Sequence, residues 1–535
     1  MAVFLYKKGE ITMCGIIVAE KETKEIASQL DKILKRGPDD QRLISQNGRL
    51  FMFNRLAIMG LNESGMQPFT HNHNMLVSNA EIYNYKQIKQ ELKDTYTFKG
   101  DSDCEVLLPL YDIYGLDMFK MLDAEFAIVL HDSKIDGLIA GRDPIGIRPL
   151  FYGYDKKTKG ILFSSEVKGI IDIAEKVSPF PPGHYYYNGQ FVKYTDLLDI
   201  EAYSKDELPE TLDSIRTKLE DGVIKRLDSD APLGFLLSGG LDSSLVCSIA
   251  SKHLNKTIRT FSIGMISDPI DLKYAKVVSD YLKTDHTEVF ITQKDIIDNL
   301  DPLIYALETF DITTIRAGMG MYLLAKYIRE HTDIKVLLTG EVSDELFGYK
   351  YTDFAPDCES FQKESVKRIH ELHMYDVLRA DRCLASNSLE ARVPFGDISL
   401  MRYIMRINPK IKMNTYNMGK YLLRKAFEGT YLPDSILYRD KAAFSDAVGH
   451  SLVDYLKAYA EETYSDEDYK QKIETYHLVK PFTKESLLYM EIFQKHFPNH
   501  EHLVIDYWMP NKTWEGCNVD DPSARVLSNY GASGK

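Results

Sequence analysis

Ser-Gly-Gly-Leu-Asp-Ser-Ser, residues 238–244, follows the apolar run 235–237 and precedes a segment with the pattern of a helix. Two glycines let the backbone approach a polyanion closely, and the following helix directs its N–H groups and positive dipole end toward it. The loop lacks the lysine of the G-x-x-x-x-G-K-S/T motif, which excludes a kinase or GTPase P-loop. We interpret residues 238–244 as a phosphate-binding loop; the alternative is a structural helix start.

An acidic side chain within this loop indicates a bound metal. Phosphate alone would repel the carboxylate of Asp242, whereas Mg²⁺ is held by one or two carboxylates together with substrate phosphates. The stretch 339–345, Thr-Gly-Glu-Val-Ser-Asp-Glu, follows another buried-strand pattern. There Asp344 is predicted to complete the Mg²⁺ shell, and Glu341 to act as a base or to orient a nucleophile. By itself this second stretch also fits a capped helix start.

The pattern around the loop predicts a parallel sheet covered by helices. Predicted helices and strands alternate here, with helices at 209–227, 243–253 and 271–283 and strands at 233–237, 257–263 and 287–291. This βαβα alternation is typical of an α/β domain with a parallel doubly wound sheet. Ligands bind such sheets at the carboxyl ends of the strands, which is where residues 238–244 fall.

The chain on either side of this region has a different character. Residues 14 to about 200 contain short β-type runs separated by Gly, Asn and Asp turns, which predicts an α+β domain; examples are 15–18, 75–77, 126–130 and 184–187. Beyond residue 350 the chain is mostly helical. Residues 511–535 are predicted to form a loose polar tail.

Composition and charge exclude several classes of function. A chain of 535 residues has room for two to four domains. Its net charge of −14 argues against nucleic acid as a partner. The six cysteines show no paired spacing, which favours a reducing compartment, and we expect a cytoplasmic protein. No apolar run approaches the roughly 18 residues of a membrane span, so we expect no membrane partner.

Four stretches together resemble the family of glutamine-hydrolysing asparagine synthetases. They are residues 238–244, Asp-Ile-Thr-Thr-Ile-Arg-Ala at 311–317, Thr-Gly-Glu-Val-Ser-Asp-Glu-Leu-Phe-Gly at 339–348 and Leu-Glu-Ala-Arg-Val-Pro-Phe-Gly-Asp at 389–397. The resemblance implies an N-terminal-nucleophile αββα glutaminase domain at 14–205 and an ATP-pyrophosphatase type synthetase domain at 206–510. In that family ATP activates the side-chain carboxylate of aspartate as an acyl adenylate, pyrophosphate leaves, and ammonia displaces AMP.

The resemblance also implies a set of residues for the synthetase site. The adenosine site is expected to contain Leu237, Ile263, Thr339 and Gly340, and the pyrophosphate site Ser238, Gly239, Gly240, Asp242, Ser243 and Ser244. Asp242 and Asp344 are the expected Mg²⁺ ligands, and Glu341 is expected to help form the adenylate and to take a proton from ammonia. Arg316 and Lys441 are expected to neutralise charge on the phosphate. Each of these two cations, taken singly, also fits a solvated surface position.

For the glutaminase half, the resemblance rests on Met-Cys-Gly-Ile-Ile at 13–17 and on five further motifs in family order, at 36–39, 55–59, 65–68, 79–84 and 102–105. It implies a Cys14 thiolate that attacks glutamine, with its own α-amino group as the base. The resemblance also implies that Arg55 binds the α-carboxylate of glutamine and that Glu81 and Asp103 bind its α-ammonium. Asn79 and the Ala80 amide are expected to donate to the oxyanion. The rest of the glutamine pocket is expected to consist of Leu56, Ala57, Ile58 and Met59. Alone, Cys14 fits a buried small hydrophobe.

Several features depart from the family pattern, among them a shortened Gly-Gly-Tyr stretch at 348–349 and Gly396 in place of Leu. Residues 1–13 precede Cys14, and we expect translation from Met13 or removal of this leader, because an amide-linked cysteine has no free amine. Ala80 stands where the family has Gly, and Ala at positive φ costs roughly 1–2 kcal/mol. Val342 also replaces a Gly, and a β-branched residue at positive φ is a genuine outlier.

The leading hypothesis is ATP-dependent synthesis of asparagine from aspartate, with glutamine as nitrogen donor and ATP and Mg²⁺ as requirements. The expected partners are these small molecules, and a homodimer is left open. The resemblance further implies a protected passage for ammonia between the two sites. The alternatives are an ammonia-dependent synthetase with an inactive glutaminase, a β-lactam-forming or related amide ligase, and a regulatory pseudoenzyme.

Overall fold

The computed structural model describes residues 2–5, 14–37, 39–440 and 448–531. Within these residues, the N-terminal half contains two antiparallel sheets. In spatial order, the first consists of β1 (Ala2–Leu5), β3 (Asp40–Gln46), β4 (Arg49–Arg55), β2 (Gly15–Ala19), β10 (Ile161–Ser164), β9 (Phe151–Asp155) and β11 (Ala174–Pro179). The second consists of β13 (Gln190–Lys193), β12 (His184–Tyr187), β8 (Gly137–Arg142), β7 (Ala124–Asp132), β6 (Asn74–Ile82) and β5 (Phe69–His71).

The alternation of side chains along the strands explains how the two sheets stack. In β2, Ile16 and Val18 point into the core between the sheets, whereas Ile17 and Ala19 point into the core on the outer side. Successive side chains of a strand face opposite sides, so an unbroken apolar run fits a strand that is buried on both faces. The helices of this half are α1 (Lys24–Ala27), α2 (Tyr85–Leu92), α3 (Leu107–Tyr114) and α4 (Met118–Met121). The predicted αββα architecture is confirmed.

The C-terminal half is built on a parallel sheet of five strands within the described residues. Their spatial order is β16 (Asp285–Ile291), β15 (Arg259–Met265), β14 (Leu233–Leu236), β17 (Val336–Leu338) and β18 (Glu390–Arg392). The predicted strands and helices around residues 238–244 are confirmed, with ends displaced by at most two residues. Because β14 and β17 are neighbours, the loops that follow them lie side by side at the carboxyl edge of the sheet.

Helices surround this sheet and form the rest of the half. They are α5 (Leu208–Lys225), α6 (Leu241–His253), α7 (Ile270–Leu282), α8 (Gln293–Asp298), α9 (Leu300–Leu307), α10 (Ile312–His331), α11 (Ser343–Phe347), α12 (Cys358–Glu371), α13 (Asp376–Ala385), α14 (Ile398–Arg406), α15 (Pro409–Lys412), α16 (Tyr421–Ala426), α17 (Asp434–Leu437), α18 (His450–Thr463), α19 (Asp466–Ile473) and α20 (Lys484–His496). Among the described residues, no helix has both the length and the apolar character that a membrane crossing requires.

Buried ion pairs join the two halves. Arg36 of the N-terminal half lies 2.8 Å from Asp381, and Glu81 lies 2.9 Å from Arg392. All four side chains are at most 5% exposed. Removing one member of such a pair leaves an uncompensated buried charge, which costs about 3–5 kcal/mol. The interface therefore holds the halves in one relative position.

The two chain ends differ from the sequence-based description. In the predicted leader, β1 pairs antiparallel with β3 from Ala2 opposite Ser45 to Leu5 opposite Arg42. The prediction of a loose tail is wrong, because Trp514, Cys517 and Leu527 are buried in one apolar cluster with Tyr351 and Phe361. The segment 511–535 is mostly polar, and its few buried apolar residues are far apart in sequence, so the sequence pattern did not reveal them.

Candidate active sites

The phosphate-loop prediction rests on a tight turn between β14 and α6. Gly239 has φ +71°, and a Cβ there would lie 2.4 Å from the backbone nitrogen of Ala275. The hydroxyls of Ser238 and Ser243 lie 3.0 Å apart, which closes the turn over the start of α6. Only a glycine fits this backbone, and the turn leaves the N-terminus of α6 facing the cleft.

The neighbouring loop approaches the first one closely. A Cβ on Gly340 would lie 2.9 Å from the amide nitrogen of Ser243 and 3.1 Å from the Cβ of Asp242. The two loops therefore touch through backbone, which a larger residue at 340 would prevent. The predicted ATP-site residues that line this cleft are Leu237, Ser238, Gly240, Asp242, Ser243, Ile263, Thr339 and Gly340. Gly239 shapes the turn instead, and Ser244 is fully buried.

The two predicted metal ligands converge on a single cation. The ammonium of Lys420 lies 2.8 Å from both carboxylate oxygens of Asp242 and 2.6 Å from a carboxylate oxygen of Asp344. Within the described residues, no group of three or more His, Cys, Asp or Glu side chains is arranged to hold a metal. A site of two carboxylates is nevertheless sufficient for Mg²⁺ when phosphates supply further ligands. Because the two carboxylates already enclose a cation, they fit this ion.

Val342 has the left-handed backbone that the missing glycine implies. Its φ is +78° and its ψ is −19°, immediately before α11. The side chain is 2% exposed and packs into the core of this half. A β-branched residue is rare in this region of φ/ψ space, so the loop stores strain beside the site.

A second group of charges surrounds Glu341. The guanidinium of Arg379 lies 2.8 Å from Glu341 and 2.7 Å from Asp376. Nearby, burial raises the pKa of Glu345 well above its ordinary value, and the charges of Asp376 and Asp344 raise it further. Arg379 therefore holds the proposed base Glu341 in a fixed orientation within an acidic part of the cleft.

The predicted phosphate-neutralising cations are placed differently. Arg316 is 3% exposed, and its guanidinium donates to Glu485 at 2.8 Å and to Asp521 at 2.9 Å. Lys441 lies outside the described residues. Arg439, two residues earlier, lines the cleft, donates to the carbonyl oxygen of Gly239 at 3.1 Å and lies 3.6 Å from the ring centre of Tyr274.

Sequence reasoning missed several cations of the cleft and the contribution of the tail. Arg379, Lys420 and Arg439 line the cleft, although none of them was assigned a role in the sequence analysis. Residues 522–524 also line it, in the segment described as a loose tail. Arg439 lies two residues before Lys441, to which the resemblance gave a phosphate role, so this stretch was a usable signal; Lys420 has no assigned residue near it in the sequence.

In the glutaminase half, Cys14 stands at the start of β2 in a partly buried position. Its Sγ lies 3.4 Å from the amide nitrogen of Leu56 and 3.5 Å from the carbonyl oxygen of the same residue. Burial raises the pKa of the Cys14 thiol to about 12, and the hydrogen bond from Leu56 opposes this only in part. The thiolate is the nucleophilic form, so a base must take the proton of this thiol.

The predicted oxyanion donors, Asn79 and the amide of Ala80, both lie in β6. Asn79 is 1% exposed, and within the part of the chain that the structure describes its Nδ2 has no hydrogen-bond partner. Buried donors are nearly always paired, so an unpaired one indicates a ligand group that completes it. Ala80 lies inside β6, opposite Phe126, and is not among the residues with positive φ. Alanine therefore replaces glycine there without the backbone cost considered above.

The predicted glutamine-binding charges are all buried. Asp103 accepts from the amide of Ile82 at 2.8 Å, and burial raises its pKa. Arg55 donates to the carbonyl of Gly60. Burial raises the pKa of Glu81 well above its ordinary value, against the opposing charge of Arg392. Leu56, which follows β4, contacts Cys14, and the charges of Arg55 and Asp103 act on the Cys14 thiol.

The fold and the two sites define an N-terminal-nucleophile amidotransferase joined to a synthetase of the ATP-pyrophosphatase type. The sequence profile of the glutamine amidotransferase domain matches residues 13–190, and that of asparagine synthase matches residues 214–361 and 355–520. The chain belongs to the asparagine synthetase family.

Named relatives agree over nearly the full length. A protein of Dictyostelium discoideum with the name "Probable asparagine synthetase (glutamine-hydrolyzing)" is 40% identical, over 96% of this chain and 98% of that one. Asparagine synthetase 1 of Saccharomyces cerevisiae is 38% identical, over 96% and 98%. Asparagine synthetase B of Escherichia coli is 37% identical, over 89% of each. All three are named glutamine-hydrolysing. Family membership and the two domains make this chain an ATP-using ligase of glutamine-dependent asparagine synthesis.

Proposed function

We propose that the C-terminal half forms β-aspartyl-AMP and that the N-terminal half supplies its ammonia. The observation that carries the first part is the convergence of Asp242 and Asp344 on one cation beside the glycine turn of residues 238–244. A carboxylate oxygen of aspartate attacks the α-phosphorus of ATP, and the bond to pyrophosphate breaks. Mg²⁺, held by Asp242 and Asp344, would offset the charge of the triphosphate.

The second half-reaction needs a base for ammonia. The ammonia nitrogen attacks the activated carbonyl carbon, loses a proton and expels AMP. Glu341 is the proposed acceptor of that proton, and Arg379, 2.8 Å away, fixes its position. Arg439 extends across the turn at Gly239 and is suited to stabilise negative charge on phosphate, a role that the sequence analysis gave to Arg316 and Lys441.

In the glutaminase half, the proposed nucleophile is Cys14. Its thiolate attacks the side-chain amide of glutamine, ammonia leaves, and water hydrolyses the resulting thioester to glutamate. The high pKa of the buried thiol makes a neighbouring base essential, and a free α-amino group on Cys14 supplies it. The unpaired Nδ2 of Asn79 is the proposed donor to the oxyanion of the tetrahedral intermediate.

The test of this function is a product balance. Purified protein is incubated with aspartate, ATP and MgCl₂, and with either glutamine or ammonium chloride, while asparagine, AMP, pyrophosphate and glutamate are quantified. We expect equal amounts of AMP, pyrophosphate and asparagine with both donors, and glutamate with glutamine. Asparagine from ammonium alone would identify the ammonia-dependent alternative. No AMP under either condition would exclude adenylate formation and leave the regulatory alternative.

The residues that precede Cys14 are the specific observation behind the ammonia-dependent alternative. Intact mass and N-terminal sequencing of the purified protein test it directly. Cys14 as the first residue predicts a working glutaminase. A retained leader predicts that asparagine forms only with ammonium.

We also propose that ammonia travels inside the protein. Support comes from the buried polar interface between the two halves, where Arg392 touches Glu81 through its side chain while its carbonyl oxygen accepts from the amide of Thr339 at 3.1 Å. One residue thus adjoins both sites. With [¹⁵N-amide]glutamine and unlabelled ammonium present together, retained label in asparagine supports the passage. Dilution of the label to the solvent ratio would exclude it.

A further inference from the structure

Lys420 is one of the most completely paired side chains in the synthetase cleft. Its ammonium contacts both oxygens of Asp242 at 2.8 Å, the hydroxyl of Ser343 at 2.9 Å and an oxygen of Asp344 at 2.6 Å. The hydroxyl of Ser343 in turn donates to Asp242 at 2.7 Å. The ammonium thus donates to Asp242 and Ser343 and forms an ion pair with Asp344.

The protein pays for this arrangement in two ways. Lys420 is 5% exposed, and burying an ammonium is costly unless it is paired. Its backbone is also left-handed, with φ +58°, immediately before α16. Non-glycine residues seldom adopt this conformation without a local reason. The surroundings therefore hold the lysine between the two acidic loops.

The balance of charge suggests what this placement achieves. Asp242 and Asp344 together carry two negative charges at the entrance to a site for a polyanion. Without a cation between them, the two carboxylates would repel each other and also the phosphates. Lys420 removes most of this repulsion before any substrate or metal has bound, and it keeps both carboxylates turned inward.

We propose that Lys420 is a positioning residue that holds the carboxylates of Asp242 and Asp344 in place when no metal is bound to them, and that it exchanges partners when the metal arrives. The inference rests on the proposed function, in which Asp242 and Asp344 hold Mg²⁺ beside the triphosphate. When a dication takes the carboxylates, the ammonium becomes available to the phosphate oxygens of the departing pyrophosphate. A cation thus stays with the acidic pair in both states.

The alternative is an ion pair that only stabilises the fold. The two readings differ in their response to Mg²⁺ and pyrophosphate, which can be measured without turnover. The variant Lys420→Met removes the charge and keeps the length of the side chain. Lys412→Met is the matched control, because Lys412 is also 5% exposed but its ammonium donates to the carbonyl of Ile404 and the sulfur of Met405 and lies 5.7 Å from the ring centre of Phe361.

The experiment compares apparent melting temperatures of the full chain in EDTA, in MgCl₂, and in MgCl₂ with pyrophosphate, and measures pyrophosphate binding by calorimetry. For Lys420→Met we expect a loss on the order of 5 °C in EDTA, most of which MgCl₂ alone restores. Wild type and Lys412→Met should respond to MgCl₂ alone by less than about one fifth of that shift. Pyrophosphate with MgCl₂ should bind Lys420→Met roughly tenfold more weakly than wild type.

Two different failures can be told apart. If Lys420→Met and wild type gain the same stability from MgCl₂ and bind pyrophosphate equally, the exchange is overturned while the magnesium site stands. If no form responds to MgCl₂ with or without pyrophosphate, the magnesium site itself is overturned, and the exchange with it. Should Lys420→Met not fold, Lys420→Gln, which keeps a hydrogen-bond donor without the charge, carries the same comparison.

Discussion

The synthetase cleft and the glutaminase pocket pair their buried charges in different ways. In the cleft, the carboxylates of Asp242 and Asp344 meet the ammonium of Lys420, and all three groups belong to the C-terminal half. In the pocket, the carboxylate of Glu81 meets the guanidinium of Arg392, which comes from the other half. The cleft is therefore complete within its own half, whereas the pocket depends on how the halves dock.

The largest expected effect is that one substitution in each half abolishes the reaction of that half and spares the other reaction. Cys14→Ala removes the nucleophile and should lower glutamine-dependent asparagine synthesis by about 10³ or more, while ammonium-dependent synthesis stays within about twofold. Asp242→Asn should lower AMP formation with either nitrogen donor by roughly 10²–10³ and leave glutamate release measurable. A large loss of ammonium-dependent synthesis in Cys14→Ala would show that the cleft is not independent.

A smaller effect on glutamate release is expected at Asn79 in the glutaminase pocket. Asn79→Asp keeps the size of the side chain but replaces the unpaired Nδ2 by an oxygen, so the oxyanion loses a donor. We expect glutamate release to fall by about 10², with unchanged ammonium-dependent synthesis. The control is Asn84→Asp in the same motif, because the Nδ2 of Asn84 already donates to the carbonyl of Met121 at 2.9 Å. Equal losses in both variants would refute the oxyanion role.

The dependence of the pocket on docking is tested at Arg392. Arg392→Met leaves Glu81 and Glu390 without this buried partner, and we expect the free energy of unfolding to fall by about 3–5 kcal/mol. The KM for glutamine should rise in the same variant, although Arg392 belongs to the synthetase half. Urea denaturation and glutaminase kinetics measure the two effects.

Arg259→Met supplies the control for this comparison. Arg259 pairs with Asp333 at the surface, where the two side chains are 34% and 71% exposed. Such surface pairs contribute about 0–1 kcal/mol to the free energy of unfolding. Unlike the pair of Arg392 and Glu81, this pair is exposed to solvent. If Arg259→Met changed the KM for glutamine as strongly as Arg392→Met, the effect could not be assigned to the interface.

Local signals made much of the fold and the loops predictable. The elements around residues 238–244 follow from apolar periodicity and a glycine turn, which act within a few residues along the chain. The replacement of glycine at Val342 left two alternatives, an ordinary backbone or a strained loop, and the positive φ of Val342 favours the strained loop. By contrast, Lys420 lies 178 residues from Asp242 in sequence, and no motif announces its position.

The partners of Arg316 and the packing of the tail were both beyond the sequence, for the same physical reason. The motif around Arg316 suggested a phosphate contact, but α10 directs this side chain to Glu485 and Asp521, which are 169 and 205 residues away. The tail looked loose because its apolar residues are few, yet Trp514, Cys517 and Leu527 are buried in one apolar cluster with Tyr351. Such contacts are set by tertiary packing, which a single sequence does not display.

The smallest effect concerns backbone strain, which is present at Val342 in the cleft and absent at Ala80 in the pocket. Val342 has φ +78°, whereas Ala80 has ordinary strand backbone. Val342→Ala and Val342→Gly both lose the buried isopropyl group, but alanine keeps a left-handed penalty of roughly 1–2 kcal/mol that glycine does not have. We therefore expect Val342→Gly to be the more stable of the two by about 1 kcal/mol, measured by urea denaturation.

At Val336, which is buried in β17 without a positive φ, the order should reverse, because glycine in a strand costs about 0.5–1 kcal/mol relative to alanine. The same order at both positions would mean that the loop relaxes when the side chain shrinks, and that the cleft stores no strain at Val342.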